Sequence, residues 1–304
     1  MRLLDAKRLE IFVRTVEAGS VTAAADELSY TVSAVSQQLH RLKLELGHSL
    51  LQRQSRGVTP TEAGMMLANH ARKILRQMDA TRADLDDLAA GKSGSLVIGA
   101  FPTVAASFLP LVIETFTSQY PSVDLSIRST RIDTLIAELE RGSTQMSLLW
   151  DHPWRPISVE GIKIDELFRE PFVILVSKNH RLAGASEVRM KDLADETWVV
   201  RADAHPVVEV LDRAATSAGF RPSIAMYAND YQEAQAMVSA GIGVAMAPTG
   251  AVTIRHPGVR SLSLGDEAPI RRILVGQRDE RVGSSAEIAL RRALFDTARE
   301  MNLL

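Results

Sequence analysis

The 304-residue chain has no cysteine at all. Disulfides, thiol nucleophiles and cysteine-based redox sensing are therefore excluded together. Aromatic residues are scarce, at 5% against a hydrophobic fraction of 46%, which is the profile of a globular protein with an aliphatic core. No stretch approaches the ~18 consecutive apolar residues of a membrane span. The opening Met1-Arg2-Leu3-Leu4-Asp5-Ala6-Lys7-Arg8 lacks the uninterrupted apolar segment of a secretory signal, so a cytoplasmic protein with no membrane partner is expected. The seven histidines (His40, His48, His70, His152, His180, His205 and His256) are scattered without the spacing of metal ligands, and no metal is expected. No serine stands in a nucleophile elbow. Gly241-Ile242-Gly243 follows a helical pattern and precedes a strand, the reverse of what a dinucleotide loop needs. Neither a cofactor nor enzymatic chemistry is expected. The length leaves room for two or three domains.

What is present is concentrated near the N-terminus. From Gly19 to Leu46 the sequence GSVTAAADELSYTVSAVSQQLHRLKLEL reads as two helices joined by a tight turn, over about residues 21–40. Ser20 is a good N-cap, and Ala23, Ala24, Ala25 and Leu28 let a neighbouring helix approach closely. Ser29-Tyr30-Thr31 makes the turn, with Thr31 capping the second helix. There Val35, Leu39, Leu42 and Leu46 recur at spacings of four, three and four, which forms one buried stripe. Ser33, Gln37, His40 and Arg41 face away from it. Hydroxyls, an amide and a guanidinium on an exposed helix face suit base edges and phosphates in the DNA major groove.

An ordinary helical hairpin with a wet outer face shares that pattern, and the residues C-terminal to it tip the balance toward DNA. Gly47 suits a helix C-cap. Leu50 to Val58 then places two short apolar ends around a polar tip holding Arg53, Arg56 and a glycine, the pattern of a β-wing. Between Tyr30 and Pro60, Arg41, Lys43, Arg53 and Arg56 stand against Glu45 alone. A local charge of +3 in a chain whose total is −2 is the footprint of a DNA-binding face.

An ordered set of residues resembles the LysR-type transcriptional regulators: Leu9, Phe12 and Val16; Glu17-Ala18-Gly19-Ser20; Ala23-Ala24-Ala25 with Leu28; Ser36-Gln37-Gln38-Leu39; Leu42; Leu46-Gly47; and Thr59-Pro60-Thr61-Glu62-Ala63-Gly64. The resemblance spans nearly the whole chain. It implies a winged helix-turn-helix over residues 4–61, bound to double-stranded promoter DNA. Ser20, Thr31, Val32, Ser33, Ser36, Gln37, His40, Arg41, Arg53 and Arg56 become the DNA-contact candidates, with Arg56 at the wing tip entering the minor groove. Family members often carry glutamine and proline where this chain has Val32 and Ser33, and an arginine where it has Gln37. The docking mode therefore carries over and the operator sequence does not. Val32 offers apolar contact, as to a thymine methyl, and Gln37 suits adenine.

Thr59-Pro60-Thr61-Glu62 reads as a capping box with proline at the first helical position, opening a helix over 59–90. Along it Leu67, Ala71, Ile74, Met78, Thr81, Leu85 and Leu88 alternate spacings of four and three, a coiled-coil-like period between charged flanks. By the resemblance this is the dimerisation helix of a homodimer or homotetramer, which presents two recognition helices to an interrupted palindrome. Gly91-Lys92-Ser93-Gly94 makes a hinge.

From Ser95 onward strand and helix patterns alternate, predicting an α/β domain with a largely parallel sheet and one helix from Thr103 to about Tyr120. The resemblance implies a two-lobed, periplasmic-binding-protein-like (type 2) effector domain over 95–304. Lobe I comprises 95–165 and 265–304, lobe II comprises 166–264, and a small-molecule effector sits between them. Gln145 stands where relatives usually have aspartate. Pro102, Thr103 and Val104 open a helix whose free N–H groups and hydroxyl would seat a carboxylate, unless Thr103 merely caps it. The other candidate contacts are Ser129, Thr130 and Arg131; Trp150 and Asp151; Arg201 and Asp203; Asn229 and Asp230. Arg201 or Arg131 would hold an anion, and Asp151 or Asp230 an ammonium group, so an amino acid or other small organic acid is expected. For an activator, RNA polymerase is a further partner. The alternative is a DNA-binding regulator whose C-terminal half binds a protein.

Overall fold

A computed structural model describes residues 4–54, 57–89, 95–201, 207–279 and 283–303. Arg56, Asp203 and the expected hinge at 91–94 lie outside the described residues, as do the side chains of Arg53, Leu85 and Leu88. The chain forms two compact units, the first spanning Met1–Gly91 and the second most of Lys92–Leu304. Among the described residues no helix is long and apolar enough to cross a membrane.

The first unit comprises α1 (Ala6–Ala18), α2 (Val21–Glu27), α3 (Val32–Leu46), β1 (Leu51–Gln54), β2 (Gly57–Pro60) and α4 (Glu62–Ala89). Side-chain oxygens of Asp5, Ser20 and Thr31 accept backbone N–H groups at the starts of α1, α2 and α3, so each helix begins where an otherwise orphaned donor finds a partner. Ser29 adopts φ +57° in the turn between α2 and α3. The apolar stripe of α3 turns inward, with Val35 and Leu42 fully buried. Leu42 joins Leu9, Phe12, Val13, Leu50, Ala68 and Ala71 in one small core. Strands β1 and β2 pair antiparallel from Leu51↔Pro60 to Gln54↔Gly57. The Val58 N–H donates to the Gly19 carbonyl at 2.9 Å, and a Cβ on Gly57 would collide with that same oxygen. The wing is thereby seated on the corner between α1 and α2.

Two expectations for this unit are corrected. The long helix opens at Glu62 rather than 59, because Thr59 and Pro60 belong to β2, opposite Gln52 and Leu51. Thr61 is the residue whose hydroxyl receives the Gly64 N–H, at 3.0 Å. Ala71, placed in the dimer seam from its spacing, is fully buried in the unit's own core, and Leu67 packs against that core. Ile74, Met78 and Thr81 remain exposed. The heptad pattern therefore serves two surfaces in succession: its first turns pack on α1, and of the later seam positions the described ones, Ile74, Met78 and Thr81, are left open.

The second unit contains β3 (Ser95–Ala100), α5 (Pro102–Ala106), α6 (Leu109–Gln119), β4 (Asp124–Ser129), α7 (Ile132–Arg141), β5 (Met146–Asp151) and β6 (Ile162–Ser177). These are followed by β7 (Thr197–Arg201), α8 (Val207–Ser217), β8 (Ser223–Ala228), α9 (Tyr231–Ser239), β9 (Ala245–Pro248), β10 (Val259–Ser263), β11 (Ile270–Arg278) and α10 (Ser285–Glu300). The main sheet runs β10-β6-β11-β5-β3-β4 with β9 also on β6, while β7 and β8 pair separately. It is mixed rather than largely parallel. Strands β3, β4 and β5 are parallel, but β11 lies antiparallel to both β5 and β6, and β6 antiparallel to β9 and β10. The reason is that β6 and β11 are long strands running in opposite directions between two separate cores. One core gathers Leu96, Phe116, Leu135, Phe168, Ile273 and Leu290. The other gathers Phe172, Leu193, Trp198, Leu211, Val244 and Leu264.

The helix expected from Thr103 to Tyr120 is broken into α5 and α6. Ser107 turns its hydroxyl back to the Thr103 carbonyl at 2.7 Å, and Pro110 enters within the first turn of α6, where its missing N–H costs nothing. Gln145, the departure before β5, accepts the Val97 N–H on its side-chain oxygen at 2.7 Å and returns its own backbone N–H to the Val97 carbonyl at 2.9 Å. The amide thus extends the β3–β5 pairing with no charge at all.

Candidate functional site

On α3 the side chains of Ser36, Gln37, His40 and Arg41 are exposed and make no hydrogen bond or ion pair among the described residues. Val32 is 43% exposed, an apolar group offered to solvent at the first position of the helix. Thr31 and Ser33 are exposed as well, their hydroxyls 3.1 Å apart, and Thr31 spends an acceptor on the Ala34 N–H. Ser20 spends its acceptor on the Ala23 N–H. The helix is held from behind by Arg8, which donates to Gln38 at 3.1 Å and pairs with Glu45. A rigid helix carrying uncommitted hydroxyl, amide, imidazole and guanidinium groups is what base and phosphate contact requires. Arg53 lies on β1, opposite Val58 on β2. Tyr30 gave no sign of a role in the sequence. It is exposed beside this face with the Lys7 ammonium 4.9 Å from its ring centre, and hydrogen bonding to Tyr30 raises the Lys7 pKa above its ordinary value.

The second unit holds a cavity of about 400 Å³, large enough for a small metabolite. Pro102, Thr103, Arg131, Trp150, Asp151 and Arg201 all line it, so the structure brings together six of the predicted effector contacts. A smaller space of about 210 Å³ shares Pro102, Thr103 and Arg201 and adds Asp230. The remaining candidates fall elsewhere. Val104 turns into the core. Ser129 ends β4 opposite Ala100, the Thr130 N–H is spent on the Ala100 carbonyl, and Asn229 is tied to Glu233; none of these three lines either space.

One predicted role is corrected by the geometry. Asp151 does not offer a free carboxylate to an ammonium group: Arg272 grips both its oxygens at 2.7 and 2.6 Å, and the Ile157 N–H donates to it at 2.9 Å. Asp230 accepts the Glu233 N–H on Oδ1 at 2.7 Å as the cap of α9 and lines the smaller space. The capping alternative for Thr103 falls, since Phe101 holds the cap position and makes no side-chain bond there. The Thr103 hydroxyl instead accepts from the buried Arg271 guanidinium at 3.0 Å.

The aromatic wall was not anticipated. Phe101, His152 and Trp154 line the cavity beside Trp150. His152 stacks on Trp154 with ring centres 4.4 Å apart and planes 4° from parallel, and Arg213 covers Trp154 at 4.9 Å. The signal in the sequence was Trp150-Asp151-His152-Pro153-Trp154-Arg155, which puts two of the chain's three tryptophans within five residues. The His152 Nδ1 donates to the Ile270 carbonyl at 3.0 Å, leaving Nε2 buried with no partner among the described residues. Burial foremost, and then the nearby Arg271 charge, push the His152 pKa below its ordinary value despite that hydrogen bond and the opposing pull of Asp151 and Glu209. The unfolded chain therefore takes up this proton first as pH falls. The contribution of His152 to stability is fully present above about pH 6.5 and declines as pH drops from there toward the lowered native value. A His152→Phe variant is expected to flatten the acid limb of a plot of Tm against pH; an unchanged limb would place the responsible proton elsewhere.

A DNA-shaped helix on one unit and a metabolite-sized cavity in the other define a class, that of DNA-binding regulators with a small-molecule input. Comparison with known proteins agrees. The family model "Bacterial regulatory helix-turn-helix protein, lysR family" matches residues 6–65, and "LysR substrate binding domain" matches residues 89–299. The chain belongs to the LysR family of transcription regulators. Among its relatives is the HTH-type transcriptional regulator AlsR of Bacillus subtilis, 31% identical with 82% of each chain covered. The dual regulator GltC of the same organism is 30% identical with 81% of each covered. OxyR of Escherichia coli is 29% identical over 82% of this chain and 80% of its own. In fold the chain is similar to an OxyR C206 mutant of Corynebacterium glutamicum (TM-score 0.61, 24% identity, covering 98% and 93% of the two chains). It is similar also to full-length CbnR complexed with its target DNA (TM-score 0.60, 22% identity, 97% and 100%).

Proposed function

We propose that α3 is the recognition helix and that Ser36, Gln37, His40 and Arg41 are its working contacts, with Val32 and Ser33 at its leading end and Arg53 and Arg56 on the wing. The chain acts as a homodimer or a dimer of dimers joined along α4 through the seam that begins with the exposed Ile74, Met78 and Thr81, so that two such helices meet two half-sites. Residues 4–61 form the DNA-binding domain, α4 the linker, and 95–304 an effector domain whose halves meet along β6 and β11. The chain regulates transcription and performs no chemistry on its ligand.

A small organic anion is the effector. The observation that carries this is Arg131. Among the other charged groups of the lining, Arg155 pairs with Glu209 at 3.1 Å and Asp151 with Arg272, and Arg131 lines the same space. The Arg131 guanidinium has no hydrogen bond or ion pair among the described residues. A metabolite rather than a protein is favoured because the lining is concave, aromatic and metabolite-sized.

The DNA half is tested by selecting duplexes from a random pool and measuring binding to the winners. Gln37→Ala should cost roughly 1–3 kcal/mol on the best duplex and relax preference at one base pair. Arg41→Ala should weaken all duplexes alike and lower the salt slope by about one unit. If Gln37→Ala weakened every sequence equally, Gln37 would be a positioning contact only. An unchanged slope would remove Arg41 from the phosphates.

A further inference from the structure

Behind the cavity-lining Phe101, Thr103 and Trp150 lies a charge pair that the sequence patterns do not reveal. Arg271 on β11 is 1% exposed and Glu170 on β6 is 6% exposed. Arg271 donates through Nε to Glu170 Oε1 at 2.6 Å, and through Nη2 both to Glu170 and to the Thr103 hydroxyl. The other Glu170 oxygen receives the Gly250 N–H at 2.8 Å and the Thr249 hydroxyl at 3.3 Å. The guanidinium lies 5.0 Å from the Phe101 ring centre and 5.8 Å from that of Trp150, both cavity-lining rings. Its Nη1 is buried and makes no hydrogen bond among the described residues.

The consequence falls on Thr103. A hydroxyl has one proton to give and lone pairs to receive with. Here a full cation occupies the receiving side at 3.0 Å, and no acceptor among the described residues takes the hydroxyl proton. Thr103 is nine-tenths buried and lines both the larger and the smaller space. An oxygen polarised by a guanidinium is a strengthened donor and a poor partner for a second cation, whose approach Arg271 itself opposes.

We propose that Arg271 and Glu170 are positioning residues that fix the hydrogen-bond polarity of the effector cavity at Thr103, so that this point accepts a carboxylate or other acceptor oxygen and rejects an ammonium group. Glu170 holds Arg271 in place and keeps the buried charge neutral overall; by its bonds to Thr249 and Gly250 it also ties the Thr103 wall to the opposite side of the smaller space. The proposal rests on the cavity being the effector site.

The test uses the full chain with methyl-labelled threonine and isoleucine, titrated with sodium acetate and, at equal ionic strength, with methylammonium chloride. Acetate is expected to shift the Thr103 methyl resonance saturably, and methylammonium is expected to leave it in place. In the double variant Glu170→Leu/Arg271→Met, an apolar pair of similar volume, the acetate affinity read at Thr103 should fall about tenfold or more. Equal saturation by both ions in the wild type would overturn the proposal without any variant. So would acetate binding that survives the double substitution. If acetate moves Ile132 and Ile136 beside Arg131 but not Thr103, the cavity stands as the anion site and the role of Arg271 falls. If it moves none of them, the cavity itself fails as that site.

Discussion

Replacing Arg271 with alanine is expected to lower the stability of the C-terminal unit by about 3–5 kcal/mol, the range for breaking a buried ion pair on one side. Nearly all of this arises from what is left behind. Glu170, 6% exposed, would be left with only the Gly250 N–H and the Thr249 hydroxyl as partners. The pair as a whole contributes far less than either half, because desolvating both ions offsets most of their attraction. The double change Glu170→Leu/Arg271→Met should therefore sit within about 1 kcal/mol of the wild type, or above it. Urea unfolding followed by tryptophan fluorescence reads both variants, since Trp150 lies 5.8 Å from the guanidinium. A loss under about 1 kcal/mol for Arg271→Ala would mean that water from the cavity replaces the guanidinium contacts of Glu170.

Leu42→Ala is expected to cost about 2–5 kcal/mol and to abolish DNA binding at moderate temperature. Leu42 is fully buried and is one of seven buried residues in the main core of the N-terminal unit. With Leu39 and Leu46 it seats α3 against residues of α1 and α4. A cavity there loosens the helix proposed above to read DNA. So small a core has little stability to spare. The result can be localised, because all three tryptophans, Trp150, Trp154 and Trp198, lie beyond residue 91. Far-UV circular dichroism should show part of the helix signal melting early, while the tryptophan transition stays where it was. A joint shift of both signals would show that the two units unfold as one.

The N-terminal unit was legible because its determinants are local. Caps at Ser20 and Thr31, a C-cap at Gly47 and a stripe from Val35 to Leu46 act within a few residues of themselves, and each was found where the pattern put it. The start of α4 was misplaced by three residues because Thr59 and Thr61 are equally good caps in isolation. What separates them is pairing with β1, a contact made across the hairpin. Ala71 misled for a related reason: a heptad pattern records that a face is covered, but not by whom. The cavity was half legible. Strand ends and helix starts pointed to Thr103, Arg131, Trp150 and Arg201, since ligands collect where such ends converge. Arg271 and Glu170 lay hidden in strands 101 positions apart, and Asp151 looked free because its partner Arg272 stands 121 positions away. Charge pairing across such separations leaves no trace in the spacing of one sequence.

The most direct measurement is thermal unfolding of the full chain against a panel of small carboxylates, amino acids and amines, run in parallel on wild type and Arg131→Ala. A ligand present at about one hundred times its dissociation constant adds about 2.7 kcal/mol, roughly 5–10 °C for a domain of this size. The expected result is a selective rise in Tm with one class of carboxylates, absent with the amines and lost in Arg131→Ala. A rise with amines alone, an equal rise in the Arg131 variant, or no rise with any carboxylate would contradict an organic anion held in this cavity as the signal the DNA-binding unit obeys.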